Sequence, residues 1–269
     1  MLVKIVVSVI GGLFALLGLG WLGLQVKPRA FAPINSPSRD LGTVPLPTDL
    51  PAPVYRHFQI VFQGDVPVVE TAVIQGRPRV FMNGLRMSGR YTSYFNAGYD
   101  YHRDIQINWF GIPLGGGYET FAQGTASAEM FGQIDSGSET LNQAANLAVW
   151  AEGFWTPSIF ITDPRVRWEA ISDTQARVYV PFEDGEDSLL LNFDPETGML
   201  IEFVGMRYKG ISTEKTEWRG VPEKWERFNG VLIPSESNII WTEDGKPWAY
   251  WTVENVQLNV DVSHKLPLR

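Results

Sequence analysis

The chain contains no cysteine. That excludes a disulfide framework, a thiolate metal site, a cysteine nucleophile and a lipidated cysteine. It leaves the compartment open, because a domain of this size can build its core without staples. Histidine is scarce: His57, His102 and His264 are the only three in 269 residues, and no two stand a helical turn apart as a pair of zinc ligands would. No Gly-x-Ser-x-Gly elbow occurs, so the commonest sequence sign of a serine hydrolase is missing. Gly115-Gly116-Gly117 is not followed by Gly-Lys-Ser/Thr, and a flexible hairpin loop explains it better than a phosphate cradle. The first acid is Asp40, and the 30 acidic residues outweigh 22 basic ones to leave a net charge of −8. Phosphate binding needs a basic surface, so nucleic acid is not an expected partner. No cofactor and no metal site are expected.

What is present begins with an apolar run. Ile5 to Val26 carries no charge between Lys4 and Lys27, and at 1.5 Å per residue it spans about 33 Å, enough to cross a hydrocarbon core of roughly 30 Å. The run passes through Trp21 into Lys27-Pro28 without a small-x-small cleavage site, so it reads as an uncleaved single-pass anchor over residues 1–27. Basic residues nearly balance across it and do not decide its orientation. Residues 28–53 hold seven prolines with Asn35, Ser36 and Ser38 between them, a composition that opposes helix and central strand. They read as a spacer that lifts a single β-rich domain, residues 54–269, off the bilayer.

Within that domain the hydrophobic period is mostly two. Tyr99, Tyr101, Ile105, Ile107 and Trp109 alternate with Asp100, His102, Asp104, Gln106 and Asn108, as in a half-buried strand. Val178-Val180-Phe182, Leu189-Leu191-Phe193, Ile201-Phe203 and Val256-Leu258-Val260-Val262 repeat the pattern. Asp184-Gly185, Asp194 to Gly198, Asn229-Gly230 and Asp244-Gly245 are turn sequences that join antiparallel neighbours. One segment departs from this period: Ser136 and Glu139 have capping-box spacing, and Leu141, Ala144, Ala145, Ala148 and Ala151 follow at three and four, predicting a helix from Glu139 to about Phe154. With ten tryptophans and fifteen phenylalanines in the chain, the expected fold is mainly β. It is a curved antiparallel sheet or unclosed β-barrel with a helical lid, plus one N-terminal transmembrane helix.

The ordered motifs Ala151-Glu152-Gly153-Phe154-Trp155-Thr156-Pro157, Val166-Arg167-Trp168-Glu169, Gly198 leading to Arg207, and Asn229 to Pro234 followed by Trp241 carry a resemblance. Over roughly residues 50 to 260 the chain resembles an uncharacterised prokaryotic family of membrane-anchored proteins of unknown function. That family looks like the unclosed β-barrel of periplasmic lipoprotein carriers. The resemblance implies an extracytoplasmic domain at the cell membrane and an apolar ligand, and it supplies no catalytic residues.

Asp100, His102 and Asp104 share a strand face and could converge on a metal, against the blander reading of a solvated face. The acid pairs around Gly185 read as a solvated turn rather than as paired catalytic carboxylates. Trp155, Trp168, Trp218, Trp241, Trp248 and Trp251 either line a cavity or fill the core. Glu152 falls in the middle of the apolar face of the expected helix, and Arg207 shares the parity of Ile201, Phe203 and Gly205, so the two are expected to pair beneath the helix. The candidate ligand-binding residues are Glu152, Trp155, Trp168, Arg207 and Trp241. Three functions stay open: a membrane-anchored binding or carrier module for a lipid or other apolar ligand, a structural subunit joined to partner proteins of a membrane complex, and a hydrolase whose carboxylate centre would be Glu152.

Overall fold

The computed structural model describes residues 1–34, 36–82, 84–210 and 212–267, with Leu2 and Val3 by backbone only. Asn35 of the proline-rich segment lies outside the described residues. The chain opens with α1 (Leu2–Gln25), then β1 (Thr43–Val44) and α2 (Ala52–Phe62). Next come β2 (Val66–Pro67), β3 (Thr71–Gly76), β4 (Arg79–Met82), β5 (Leu85–Asn96), β6 (Asp100–Trp109), β7 (Ile112–Ala122), β8 (Thr125–Met130) and β9 (Gln133–Ser136). The helix α3 (Glu139–Glu152), a 3-10 turn at Gly153–Trp155 and the short α4 (Ile159–Thr162) interrupt the strands. The second run is β10 (Arg167–Ser172), β11 (Gln175–Phe182), β12 (Gly185–Phe193), β13 (Leu200–Tyr208), β14 (Lys215–Phe228), β15 (Val231–Trp241), β16 (Lys246–Thr252) and β17 (Asn255–Leu258).

Fifteen of these strands form one antiparallel sheet that is curved but not closed. Its order is β10-β11-β12-β13-β14-β15-β16-β4-β5-β6-β7-β8-β9, with β17 and β3 branching from β5. The branch arises because β5 is long. Its first half pairs β4, from Met82↔Leu85 to Arg79↔Ser88, and its second half pairs β3, from Gly76↔Tyr91 to Thr71↔Asn96, while β6 occupies its other side. The hairpins lie where the turn residues predict: Asn229 and Gly230 both adopt positive φ between Phe228 and Val231, the geometry that Asn-Gly favours.

α3 lies across the concave face, against β13, β7, β8, β11 and β12. Its cap is Ser138, whose Oγ accepts from Leu141 N at 3.2 Å; Ser136 ends β9 instead, so the N-cap lies two residues after the one read from the sequence, and with Leu141 at the third helical position no capping box forms. α3 is clasped to the sheet by Asp187, which accepts hydrogen bonds from Gln143 Nε2 at 3.1 Å and Asn146 Nδ2 at 3.4 Å and lies 3.6 Å from Lys215 Nζ. Asp187 is therefore buried and structural, unlike the solvated turn acid that its neighbours Glu183 and Asp184 suggest.

Three further expectations change. Gly115, Gly116 and Gly117 lie within β7, opposite Ile107, Gln106 and Ile105, and not in a hairpin loop. A Cβ on Gly116 would run into the Ile105 carbonyl oxygen and one on Gly117 into that of Glu129, so glycine is required by close backbone approach. α2 is a helix that the two-residue period did not announce, although Val54, His57, Phe58, Val61 and Phe62 bury one helical face and proline starts it. The proline-rich segment is not free of the domain. Pro28 O accepts from Arg77 Nη1 at 3.0 Å, Ser38 Oγ donates to Leu258 O at 2.7 Å, Arg39 N donates to Asn259 O at 3.0 Å, and β1 pairs β2. These contacts hold the segment along the sheet.

α1 is long and apolar enough to cross a membrane, with 22 residues from Lys4 to Gln25 at a mean hydropathy of 2.3, and of these only Gly23, near its end, is buried. Its last turns touch the sheet. Trp109 Nε1 donates to Gly20 O at 3.1 Å and Phe110 N to Gly23 O at 2.8 Å.

Candidate functional site

Between α3 and the two halves of the sheet lies a cavity with about 130 Å³ of room for the centres of water-sized spheres. That exceeds the space of roughly 10–15 Å³ that one buried water occupies on this measure. Its roof is the small-residue face of α3, where Leu141, Ala145, Ala148, Ala151 and Glu152 all contribute, as their helical spacing predicts. The alanines end at Cβ, and this is what leaves the space open. The walls are Tyr101, Phe154, Trp155, Phe203, Trp218, Ile239, Trp248 and Trp251, with Thr120, Ala126, Ser127 and Ala128 from β7 and β8.

Four charged side chains enter this apolar surround: Arg103, Glu119, Glu152 and Arg207. Glu152 points inward as its place on the helix predicts, with 15% of its side chain exposed, but its partner is Arg103. The pair expected between Glu152 and Arg207 does not form. Arg103 is 4% exposed and donates from Nε to Ser93 Oγ at 2.8 Å, from Nη1 to Glu119 at 3.2 Å and from Nη2 to Glu152. Its guanidinium also lies 4.5 Å from the centroid of the Trp251 ring. Burial opposes its charge, yet Glu152 and Glu119 outweigh that effect and hold Arg103 charged. Burial pushes the Glu152 carboxyl above its ordinary range, against the pull of Arg103.

Arg103 was legible. On β6 the inward parity runs Tyr101, Arg103, Ile105 and Ile107, and 103 is the single charged position in it.

Arg207 is held differently. Its Nε donates to Ala144 O at 2.8 Å, and its guanidinium lies 4.9 Å from the Trp218 centroid and 5.8 Å from that of Trp241. No carboxylate pairs with it among the described residues, and burial depresses its pKa, with Tyr101 and Glu119 pulling the other way. Its inward direction follows Phe203 and Gly205, whereas Ile201 is 46% exposed. An irregularity in pairing between Asn192↔Glu202 and Phe193↔Leu200 switches the parity there. Two indole donors of the same lining, Trp218 Nε1 and Trp248 Nε1, are buried without an acceptor among the described residues.

Of the five candidate residues, Glu152, Trp155 and Arg207 come together in the cavity. Trp241 is buried outside the lining as the cross-strand neighbour of Trp218. Trp168 is elsewhere: its Nε1 donates to Phe160 O at 3.2 Å and its ring packs edge-on to Phe58 of α2, so it is core between helices and sheet. Parity along β10 could not reveal that α2 and α4 pack on Trp168 while the rest of the strand is exposed. Among the described residues no group of three or more His, Cys, Asp or Glu side chains is arranged to hold a metal. His102 Nε2 and Lys265 Nζ engage Asp104 at 3.0 and 2.7 Å, and Asp100 accepts from Asn96 Nδ2 and Gln123 N, both at 2.9 Å.

A LolA superfamily protein from Nitrosomonas europaea is similar over 79% of this chain and 94% of its own, at 12% identity and a TM-score of 0.48. A DUF1329 family protein from Desulfovibrio piger is similar over 72% of this chain and 88% of its own, at 8% identity and a TM-score of 0.43. A domain described as an outer membrane lipoprotein-sorting protein, from Vibrio parahaemolyticus, gives the same coverages at 6% identity and a TM-score of 0.43. None of the curated proteins matches the chain. From β1 to just past β16, residues 43–253 match one family's sequence profile, and the chain belongs to that family, a family of unknown function (DUF6544).

Proposed function

We propose that this protein is a membrane-anchored binding or carrier module for an amphiphile, a molecule with an apolar chain and an acceptor-rich, anionic head. The observation that carries the reading is that Arg207, Trp218 and Trp248 line one cavity: among the described residues, one guanidinium has no carboxylate partner and two buried indole N–H groups have no acceptors. Buried donors left unmatched are costly, and a carboxylate or phosphate oxygen would match them. The aromatic and alanine surfaces suit an apolar chain. Glu152 is engaged by Arg103, which favours a positioning role for it over a carboxylate poised for hydrolysis.

In this reading α1 is the single membrane span and the domain stands on the extracytoplasmic side, as the motif resemblance implies. Protease added to intact spheroplasts is expected to degrade the domain; protection would overturn that placement. The ligand reading is tested by native mass spectrometry of the full-length protein released from detergent micelles. A stoichiometric amphiphile is expected on the wild type and is lost in Arg207→Met. A protein that carries nothing, and binds no fatty acid or phospholipid added to saturation, would remove the proposal.

A further inference from the structure

We propose that the domain has a second membrane contact, a rim of three apolar hairpin tips that dips into the same bilayer leaflet where α1 ends; this rests on the reading of α1 as a span. In an antiparallel meander alternate turns share an edge, so the β4–β5, β6–β7 and β8–β9 turns lie on one edge of the sheet. Each is apolar and open to solvent. Met82 and Leu85 are 47% and 46% exposed, Phe110 and Ile112 are 44% and 65%, and Phe131 and Ile134 are 53% and 69%.

Turn chemistry does not explain these residues. Phe110-Gly111 and Phe131-Gly132 occupy the two positive-φ positions of their turns, with φ of 46° and 51° at the phenylalanines. A bulky side chain is rarely found there, and Asn or Asp would fit better. The chain uses the favoured pair, Asn229-Gly230, at a hairpin on the opposite edge. Aromatics kept twice at an unfavourable backbone position point to a role for the ring itself.

The occupant follows from continuity. Trp109 and Phe110 hydrogen-bond to the carbonyls of Gly20 and Gly23, in the last two turns of α1. A helix of this length leaves the hydrocarbon at those residues, so the tips sit at the depth where interfacial aromatics collect. Stretches 79–86 and 107–115 contain no acid in a chain that is acidic overall, and Arg86 follows Leu85. Of the other turns on that edge, β11–β12 with Glu183-Asp184 and β15–β16 with Glu243-Asp244 are acidic and β13–β14 carries Lys209 and Glu214, which confines the contact to the β4–β9 half.

Because the chain lacks cysteine, single thiols can be placed at will. Full-length variants Leu17→Cys, Ile112→Cys, Phe131→Cys and Glu196→Cys, each carrying an environment-sensitive fluorophore, are reconstituted into phosphatidylcholine vesicles with or without brominated acyl chains. Loss of emission is expected at positions 17, 112 and 131 and none at 196, which lies in an exposed loop on the opposite edge. Quenching at 17 without quenching at 112 and 131 overturns the rim contact and leaves the anchor standing. Absence of quenching at 17 overturns the anchor and the rim contact with it. Disulfide-linked dimers of the unlabelled Ile112→Cys, without quenching of the labelled form, would assign the tips to a second copy of the chain and overturn the proposal.

Discussion

Arg103 and Glu152 form an ion pair whose two ends are unequal, and their removal should have unequal consequences. Arg103 is 4% exposed and holds Ser93, Glu119, Glu152 and the face of Trp251 together. In Arg103→Met, Glu152 stays in the cavity wall without a counter-ion, and breaking a buried pair from one side costs roughly 3–5 kcal/mol. For a domain of this size each kcal/mol lowers Tm by about 2–4 °C, so the expected fall is roughly 6–20 °C. Glu152→Gln keeps an acceptor for Arg103 and leaves Glu119 as its counter-ion, so the loss should be about 1 kcal/mol or less. Thermal unfolding of the full-length protein in detergent, followed by near-ultraviolet circular dichroism of the tryptophans, measures both. The same pair gives a pH signature. Glu152 is raised above its ordinary 4.5, so it binds its proton more tightly when folded. Its contribution is fully present below pH 4.5 and is lost as pH rises through the raised value. The Tm of wild type relative to Glu152→Gln should therefore be more favourable at pH 4 than at pH 7. Equal losses for the two variants at pH 7, or a pH trend of the opposite sign, would refute the assignment of the pair.

Burial lowers His57 to about 4, and its Nδ1 accepts from Leu200 N at 3.3 Å, so the folded protein holds the ring neutral. Stability should fall by about 3 kcal/mol as pH drops from 6.5 to 4, and the difference between wild type and His57→Gln across that range isolates this contribution. Ala148→Phe should fill the cavity beneath α3 and abolish amphiphile binding in the native mass spectrum with little change in Tm; unchanged binding would place the ligand elsewhere. Gly117→Ala forces a Cβ toward the Glu129 carbonyl and should cost about 2 kcal/mol or more in denaturant unfolding, whereas a tolerated alanine would mean that β7 and β8 can part there.

The sheet was legible because strand faces obey a strict period. Val178, Val180, Leu189, Leu191 and Phe193 are buried as their alternation requires. The lid was legible for the same reason at a different period, down to the inward direction of Glu152. The expected partner failed because two inward charges do not specify which of several inward charges they meet. Arg103, Glu119 and Arg207 reach the cavity from three strands, and only the register of β6 against β5 and β7 puts Arg103 under Glu152. Trp168 failed for a related reason, since α2 and α4 pack on the side chain without bringing it to the cavity. Glycine was misread in β7 because a run of three glycines looks the same in a loop and in a strand pressed by its neighbours. In the described residues of the 28–53 segment helix begins only at Ala52 and the one strand is the two-residue β1, but proline says nothing about whether an extended segment is free or lies on a surface.

The contact between the end of α1 and the β6–β7 tip bears on reach. A domain on a free tether samples a hemisphere around its anchor and can meet a partner some distance above the bilayer. Here backbone carbonyls of Gly20 and Gly23 fasten α1 to Trp109 and Phe110, and residues of the proline-rich segment lie against the sheet. With α1 as the proposed span, the domain has one orientation and almost no leash. In the proposed membrane-anchored reading, whatever it binds arrives and leaves within the plane of the membrane, either from the leaflet itself or from another protein diffusing alongside, and its encounters are those of two dimensions rather than three.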